Sequence, residues 1–131
     1  MKIMIAYDGT NVAMEAISEA LRHAKAFGAE VHLVTSISGV VEVPKETFDH
    51  TESNLDRIKK RQFDPEGVPC TTHVMFRGMT PGEDLVRYAQ ENEIEKIVIG
   101  VKRRSKVGKL LFGSTAQYVI LRAPCPVLTV K

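Results

Sequence analysis

The chain lacks most of the features that would assign it to a specialised class. It has two cysteines, Cys70 and Cys125, far apart and outside any CxxC pair, so redox and metal chemistry have little support. Both read as small buried hydrophobes. The four histidines, His23, His32, His50 and His73, show no ligand spacing such as HExxH. His32 and His73 fall inside expected strands, on a partly exposed face. No apolar run approaches the roughly 20 residues that a membrane span needs. The apolar start Ile3–Ala6 is cut short by Asp8 and Gly9, too soon for a signal peptide. A net charge of +2 is too small to imply nucleic-acid binding by itself. There is no internal repeat, low-complexity segment or linker. The expectation is one cytoplasmic domain spanning residues 1–131, with no membrane and no nucleic-acid partner.

What the chain does contain is a regular alternation of strand and helix signals. Ile3–Tyr7 is a continuous apolar run, as in a strand buried on both faces. Helix one follows Thr10-Asn11, with Met14, Ile17, Leu21 and Ala24 at helical spacing and Gly28 as its stop. Val31–Thr35 is strand two, and Ser36–Lys45 reads as a loop. Helix two is expected from about Glu46 to Arg61, with Phe48, Thr51, Leu55 and Ile58 on one face. After the turn Asp64–Gly67, residues Cys70, Thr72, Val74 and Phe76 alternate along strand three. Thr80-Pro81-Gly82-Glu83 fits a capping box with proline at the first helical position. Glu83 and Asp84 suit the N-terminus of that third helix. Ile97–Ile99 is strand four, Ser114-Thr115-Ala116-Gln117 reads as a second capping box, and Val127–Val130 is strand five.

This βαβαβαβαβ pattern predicts an α/β fold: a doubly wound five-stranded parallel sheet of order 3-2-1-4-5, with helices on both faces. Ligands of such sheets sit at the carboxyl ends of the strands, where the strand order reverses. Asp8-Gly9-Thr10 and Gly100–Ser114 converge there. Strand four leads through Gly100 and the basic loop 101–108 to Gly113-Ser114-Thr115 at a helix start. Backbone amides and the helix dipole favour an anion at such a place, and phosphate is its usual occupant. Asp8 has a second reading, as a cap of helix one.

Several phosphate-handling classes are excluded by single residues. Gly108-Lys109 is followed by Leu110, and no glycine stands five residues before Gly108, so there is no Walker A loop. GxGxxG is absent. Asp8-Gly9-Thr10 has the end of the DxDGT motif of aspartyl-phosphate phosphatases, but Ala6 occupies the place of the nucleophile. Strand three ends in Phe76-Arg77-Gly78 rather than the acidic cluster of a receiver domain. No Ser/His/Asp or Cys/His set stands out, and no metal site is expected.

The chain resembles the universal stress protein family over nearly its whole length. The resemblance lies in Ile5–Thr10, in Val31–Ser36 and in the closing Ala123-Pro124-Cys125-Pro126-Val127-Leu128-Thr129-Val130. The family's nucleotide motif, G-x2-G-x9-G-[ST], reads here Gly100-x2-Arg103-x9-Gly113-Ser114, with the spacing intact and the second glycine replaced. The resemblance implies ATP or AMP as ligand, with or without Mg2+. It implies a nucleotide site made of Ala6, Tyr7, Asp8, Thr10, Ser36, Gly100, Lys102, Arg103, Gly113, Ser114 and Thr115. Asp8 and the backbone near Ser36 would meet adenine or ribose, Gly100 the ribose and phosphates, and Gly113–Thr115 the phosphates. Two outcomes stay open at Arg103: it fills the place of the close backbone approach, or its guanidinium reaches phosphate from the rim. Lys102, Arg104, Lys106 and Lys109 would add positive field. The last strand is an apolar edge that invites pairing. The family's habit of dimerising through it implies a homodimer interface of Val127, Leu128, Thr129 and Val130. The implied function is non-catalytic binding of an adenine nucleotide in stress, modulating dimer or partner contacts. The alternatives are a dimeric interaction module that binds no nucleotide, and a slow ATPase or phosphotransfer enzyme.

Overall fold

A computed structural model describes residues 1–38, 42–101 and 113–131 of the chain. Among the described residues, five strands and four α-helices alternate: β1 (Lys2–Ala6), α1 (Asn11–Phe27), β2 (Glu30–Ser36), α2 (Lys45–Ile58), β3 (Cys70–Met75), α3 (Pro81–Glu91), β4 (Lys96–Gly100), α4 (Ser114–Arg122) and β5 (Val127–Val130). The strands form one all-parallel sheet in the order β3-β2-β1-β4-β5, as the alternation predicts. The register lines up the carboxyl ends. Ala6 of β1 lies between Val34 of β2 and Ile99 of β4.

Alternation along the strands divides the core in two. Ile3, Ile5, Val31, Leu33 and Val98 face α1 and α2. Met4, Ala6, Val34, Ile97 and Ile99 face α3 and α4. Because β1 and β4 are covered on both sides, Ile3–Ala6 and Ile97–Ile99 read as unbroken apolar runs, whereas β2 carries His32 between Val31 and Leu33.

Several local expectations need correction. The inner stripe of α1 is Ala13, Ala16, Ile17, Ala20 and Ala24, whereas Met14 is exposed. Small residues let this helix lie close against the sheet, and Met14 sits outside that contact. Its Sδ instead accepts a hydrogen bond from Tyr7 Oη at 3.6 Å. Helix α2 runs Lys45–Ile58 and then loosens into a π turn, Lys59–Phe63, that brings Phe63 fully into the core. Strand β3 stops at Met75, one residue before Phe76. Met75 is buried on the α3 side, while Thr72 and Val74 stay half-buried on the other.

The two proposed capping boxes fare differently. Thr80 caps α3, its Oγ1 accepting from the Glu83 amide at 3.4 Å, with Pro81 in the first turn. At α4 the extended residue is Gly113 (φ −62°, ψ 159°), so the helix begins at Ser114 and has no side-chain cap. Ser114 is already helical, and from there a hydroxyl does not reach the amide that a capping residue would satisfy.

Candidate functional site

Ala6, Val34 and Ile99, neighbours across three central strands, form the floor of a crevice on the α3/α4 side of the sheet. Pro81 and Leu85, one turn apart on α3, wall one flank. Tyr7, Asp8, Ser36, Ser38 and Thr115 complete the lining. The cavity measures about 230 Å3. An apolar slot with a few polar groups at its rim is the usual form of a small-molecule site. Its position, at the carboxyl ends of the strands flanking the order reversal, is where doubly wound sheets hold ligands. A wider hollow of about 520 Å3 lies elsewhere, between β3 and α2, lined by Val43, Phe48, Val74 and Phe76 among others.

The turn after β1 is built for display. Asp8 Oδ1 accepts from the Thr10 amide at 3.0 Å and from Thr10 Oγ1 at 2.7 Å. Thr10 Oγ1 in turn accepts from the Ala13 amide at 3.2 Å and caps α1. Asp8 therefore does not cap the helix itself but orients the residue that does. Its Oδ2 takes no hydrogen bond from a described residue. Gly9, with φ +85°, supplies the left-handed step the turn requires. Tyr7 is fixed by its backbone: its amide donates to Val34 O, and Thr35 Oγ1 donates to its carbonyl at 2.8 Å. Burial, and then the Asp8 charge, push the Tyr7 phenol above its ordinary range, which keeps it neutral.

The opposite rim is held by a charged network that sequence reasoning missed. Asp84 is buried, 1% exposed. Its Oδ1 accepts from Arg77 Nε, and its Oδ2 accepts from Ser36 Oγ at 2.8 Å. Arg77 also donates to the Asp84 carbonyl at 3.2 Å and to Glu91 Oε1 at 2.9 Å. Burial would lower the Arg77 pKa, but the hydrogen bonds to Asp84 and Glu91 outweigh it and raise it. Asp84 thus ties β2 and the turn after β3 to α3, beyond any service to the helix terminus.

The two glycines of the 100–114 motif differ in what constrains them. A Cβ on Gly100 would lie 2.6 Å from Val12 Cγ1 and 3.0 Å from the Val12 carbonyl carbon and oxygen. Gly100 therefore lets the first turn of α1 sit on the end of β4. A Cβ on Gly113 would meet nothing within 4 Å among the described residues, and its φ is ordinary.

Of the site residues expected from sequence, Ala6, Tyr7, Asp8, Ser36 and Thr115 line the crevice. Thr10, Gly100, Gly113 and Ser114 stand around it without lining it. Lys102 and Arg103, with Arg104, Lys106 and Lys109, lie outside the described residues. Sequence reasoning did not name Val34, Ile99, Pro81, Leu85 or Ser38. The strand-end positions and the first turn of α3 were the available signals. Among the described residues, no group of three or more His, Cys, Asp or Glu side chains converges as a metal site. Burial pushes the Cys70 thiol up to about 12, which keeps it protonated and unreactive.

Comparison with known proteins decides the family. The sequence model described as "Universal stress protein family" matches residues 1–131. The chain belongs to the universal stress protein family. A curated member from Methanocaldococcus jannaschii is 33% identical, over 99% of this chain and 81% of its own length. A universal stress protein structure from Archaeoglobus fulgidus is 33% identical, with a TM-score of 0.88 over 100% of this chain and 98% of that one. A second, of the universal stress protein from Archaeoglobus fulgidus in complex with dAMP, is 30% identical, with a TM-score of 0.84 and the same coverage. The family's five-stranded α/β fold is the fold described above.

Proposed function

We propose that this protein binds an adenine nucleotide, AMP or ATP, in the crevice between β1, β4 and α3, and does not consume it. The observation that carries the reading is the crevice itself. It is a largely apolar slot lined by Thr115 beside the N-terminus of α4, where amides and dipole favour phosphate. At about 230 Å3 it is slightly smaller than the range of about 300–1,000 Å3 common for whole ligands, which suits a base and ribose whose phosphates lie outside. Among the described residues no atom would meet a Cβ on Gly113 within 4 Å, which supports phosphate approach to the backbone there. The dAMP-bound relative, at 30% identity over the full chain, supports the same ligand class. Occupancy would modulate contacts with a second copy or a partner in the cytoplasm.

Calorimetry of the full chain with AMP and with ATP, with and without Mg2+, tests this. Binding at millimolar concentrations or below is expected, without multi-turnover hydrolysis. Ligand at 100 times its dissociation constant would raise stability by about 2.7 kcal/mol. Gly113→Val should remove most of the affinity and leave the fold intact, because the added side chain enters space no described atom uses. No heat of binding and no thermal shift for either nucleotide would reject the reading. Steady turnover of ATP would instead favour an enzyme.

A second reading rests on β5. Among the described residues its outer edge has no partner strand, and Val127, Leu128 and Val130 remain half-buried. Antiparallel pairing with a second copy would complete the edge, with Val127–Val130 at the interface.

A further inference from the structure

The crevice is apolar across its floor, but Ser36 on its rim has a fixed polarity. A serine hydroxyl normally rotates to donate or accept as its partner requires. Ser36 Oγ lacks that freedom, because it donates to Asp84 Oδ2 at 2.8 Å. Asp84 is 1% exposed, and its other oxygen is held by Arg77, which faces it as an ion pair. A carboxylate in that position only accepts. Turning the Ser36 proton elsewhere would leave that buried carboxylate oxygen without a donor among the described residues, which is costly. What Ser36 Oγ can still offer a bound molecule is therefore its lone pairs.

We infer that Ser36, locked by Asp84 and Arg77, makes the crevice selective for a heteroaromatic ring that turns an N–H toward the end of β2. It rejects a ring that turns a carbonyl there. This inference rests on the proposed nucleotide site and names the base edge that the site reads. Adenine, with an exocyclic amino group, satisfies the lone pairs. Hypoxanthine has the same shape but carries an oxygen at that position, which would face the Ser36 oxygen with no proton between them. Discrimination of this kind comes from a repulsive contact as much as from an attractive one. Ser36 is the specificity-determining residue, and Asp84 and Arg77 are positioning residues that act through it.

The test compares AMP with IMP by calorimetry on the full chain. The wild type should bind AMP at least about tenfold more tightly than IMP. Ser36→Ala should bring the ratio to near one, mainly by weakening AMP. Asp84→Asn should also lower it, from the other side. A carboxamide can keep its oxygen on Arg77 and donate its own N–H to Ser36, which releases the hydroxyl proton for a carbonyl and strengthens IMP. The ratio, rather than either affinity, separates this role from simple support of the fold. Should Asp84→Asn fail to fold, the wild-type and Ser36→Ala ratios still decide. Equal affinities in the wild type, or a ratio that Ser36→Ala leaves unchanged, would overturn the inference while nucleotide binding stands. Absence of binding by either nucleotide would reject the nucleotide reading, and this inference with it.

Discussion

Gly100 and Gly113 occupy one motif but answer to different demands, and substitution separates them. Gly100→Ala would drive a methyl group into Val12, including its backbone, so the start of α1 must shift. Overpacking of this kind costs about 1–3 kcal/mol. Urea denaturation should register that loss with or without nucleotide present. Gly113→Ala meets no described neighbour. Its stability cost should be only about 0.5 kcal/mol, the difference between glycine and alanine as a helix cap. If the two variants were equally destabilised, the packing role assigned to Gly100 would be wrong. Neither role can be deduced from the motif alone. A glycine in a sequence does not reveal whether a helix or a ligand needs the space.

At the scale of elements, β5 presents an edge whose outward groups can be named. The Ile97 amide donates to Pro126 O, and the Val101 amide donates to Val130 O. In a strand these directions alternate, so Leu128 also points inward and Val127 and Thr129 point out. Thr129→Pro would remove an outward donor without touching the ladder to β4. If β5 pairs with a second copy, this variant should be monomeric by analytical ultracentrifugation while melting cooperatively near the wild-type temperature. A wild type that is monomeric at high micromolar concentration would exclude that interface. The elements themselves were legible in the sequence, because apolar runs, Gly28 and the Thr80–Glu83 cap carry local signals. The start of α4 was misread because Gly113-Ser114-Thr115 offers three adjacent positions for a boundary, and only backbone geometry chooses among them. The crevice was half legible. Residues at the end of β1 follow from topology, but the Ser36–Asp84–Arg77 network joins three separate elements and leaves no local pattern. Asp84 looks in sequence like one more acid at a helix start.

The whole molecule carries a pH response in a side-chain cluster that neighbours the crevice but does not line it. His32 of β2 and His73 of β3 lie 5.9 Å apart, ring to ring, beneath Tyr88 of α3. His32 Nδ1 and Tyr88 Oη hydrogen-bond at 2.7 Å, and Glu30 lies 3.7 Å from the other ring nitrogen. Burial lowers the pKa of both histidines below 6.5. The charge on His32 lowers that of His73 further, while Glu30 partly opposes the fall at His32. The folded state therefore prefers both rings neutral. Stability from this cluster is complete above pH 6.5. It declines as the pH falls below that value, where the unfolded chain takes up protons first, and it is lost once the folded-state values are passed. The melting temperature should fall from pH 6.5 toward pH 5, with a shallower slope in His73→Gln. A flat profile across that window would contradict the assignment.

The central place of β1 has a consequence for how the protein is made. β1 bonds to β2, which follows it closely, and to β4, which lies far along the chain. A nascent chain can join its first three strands as they leave the ribosome. One edge of the apolar run Ile3–Ala6 then stays unpaired until Ile97–Gly100 has been translated. Throughout that interval the growing polypeptide carries an open apolar edge along β1. Holding chaperones would engage it there, and pauses in translation before β4 would expose it to aggregation.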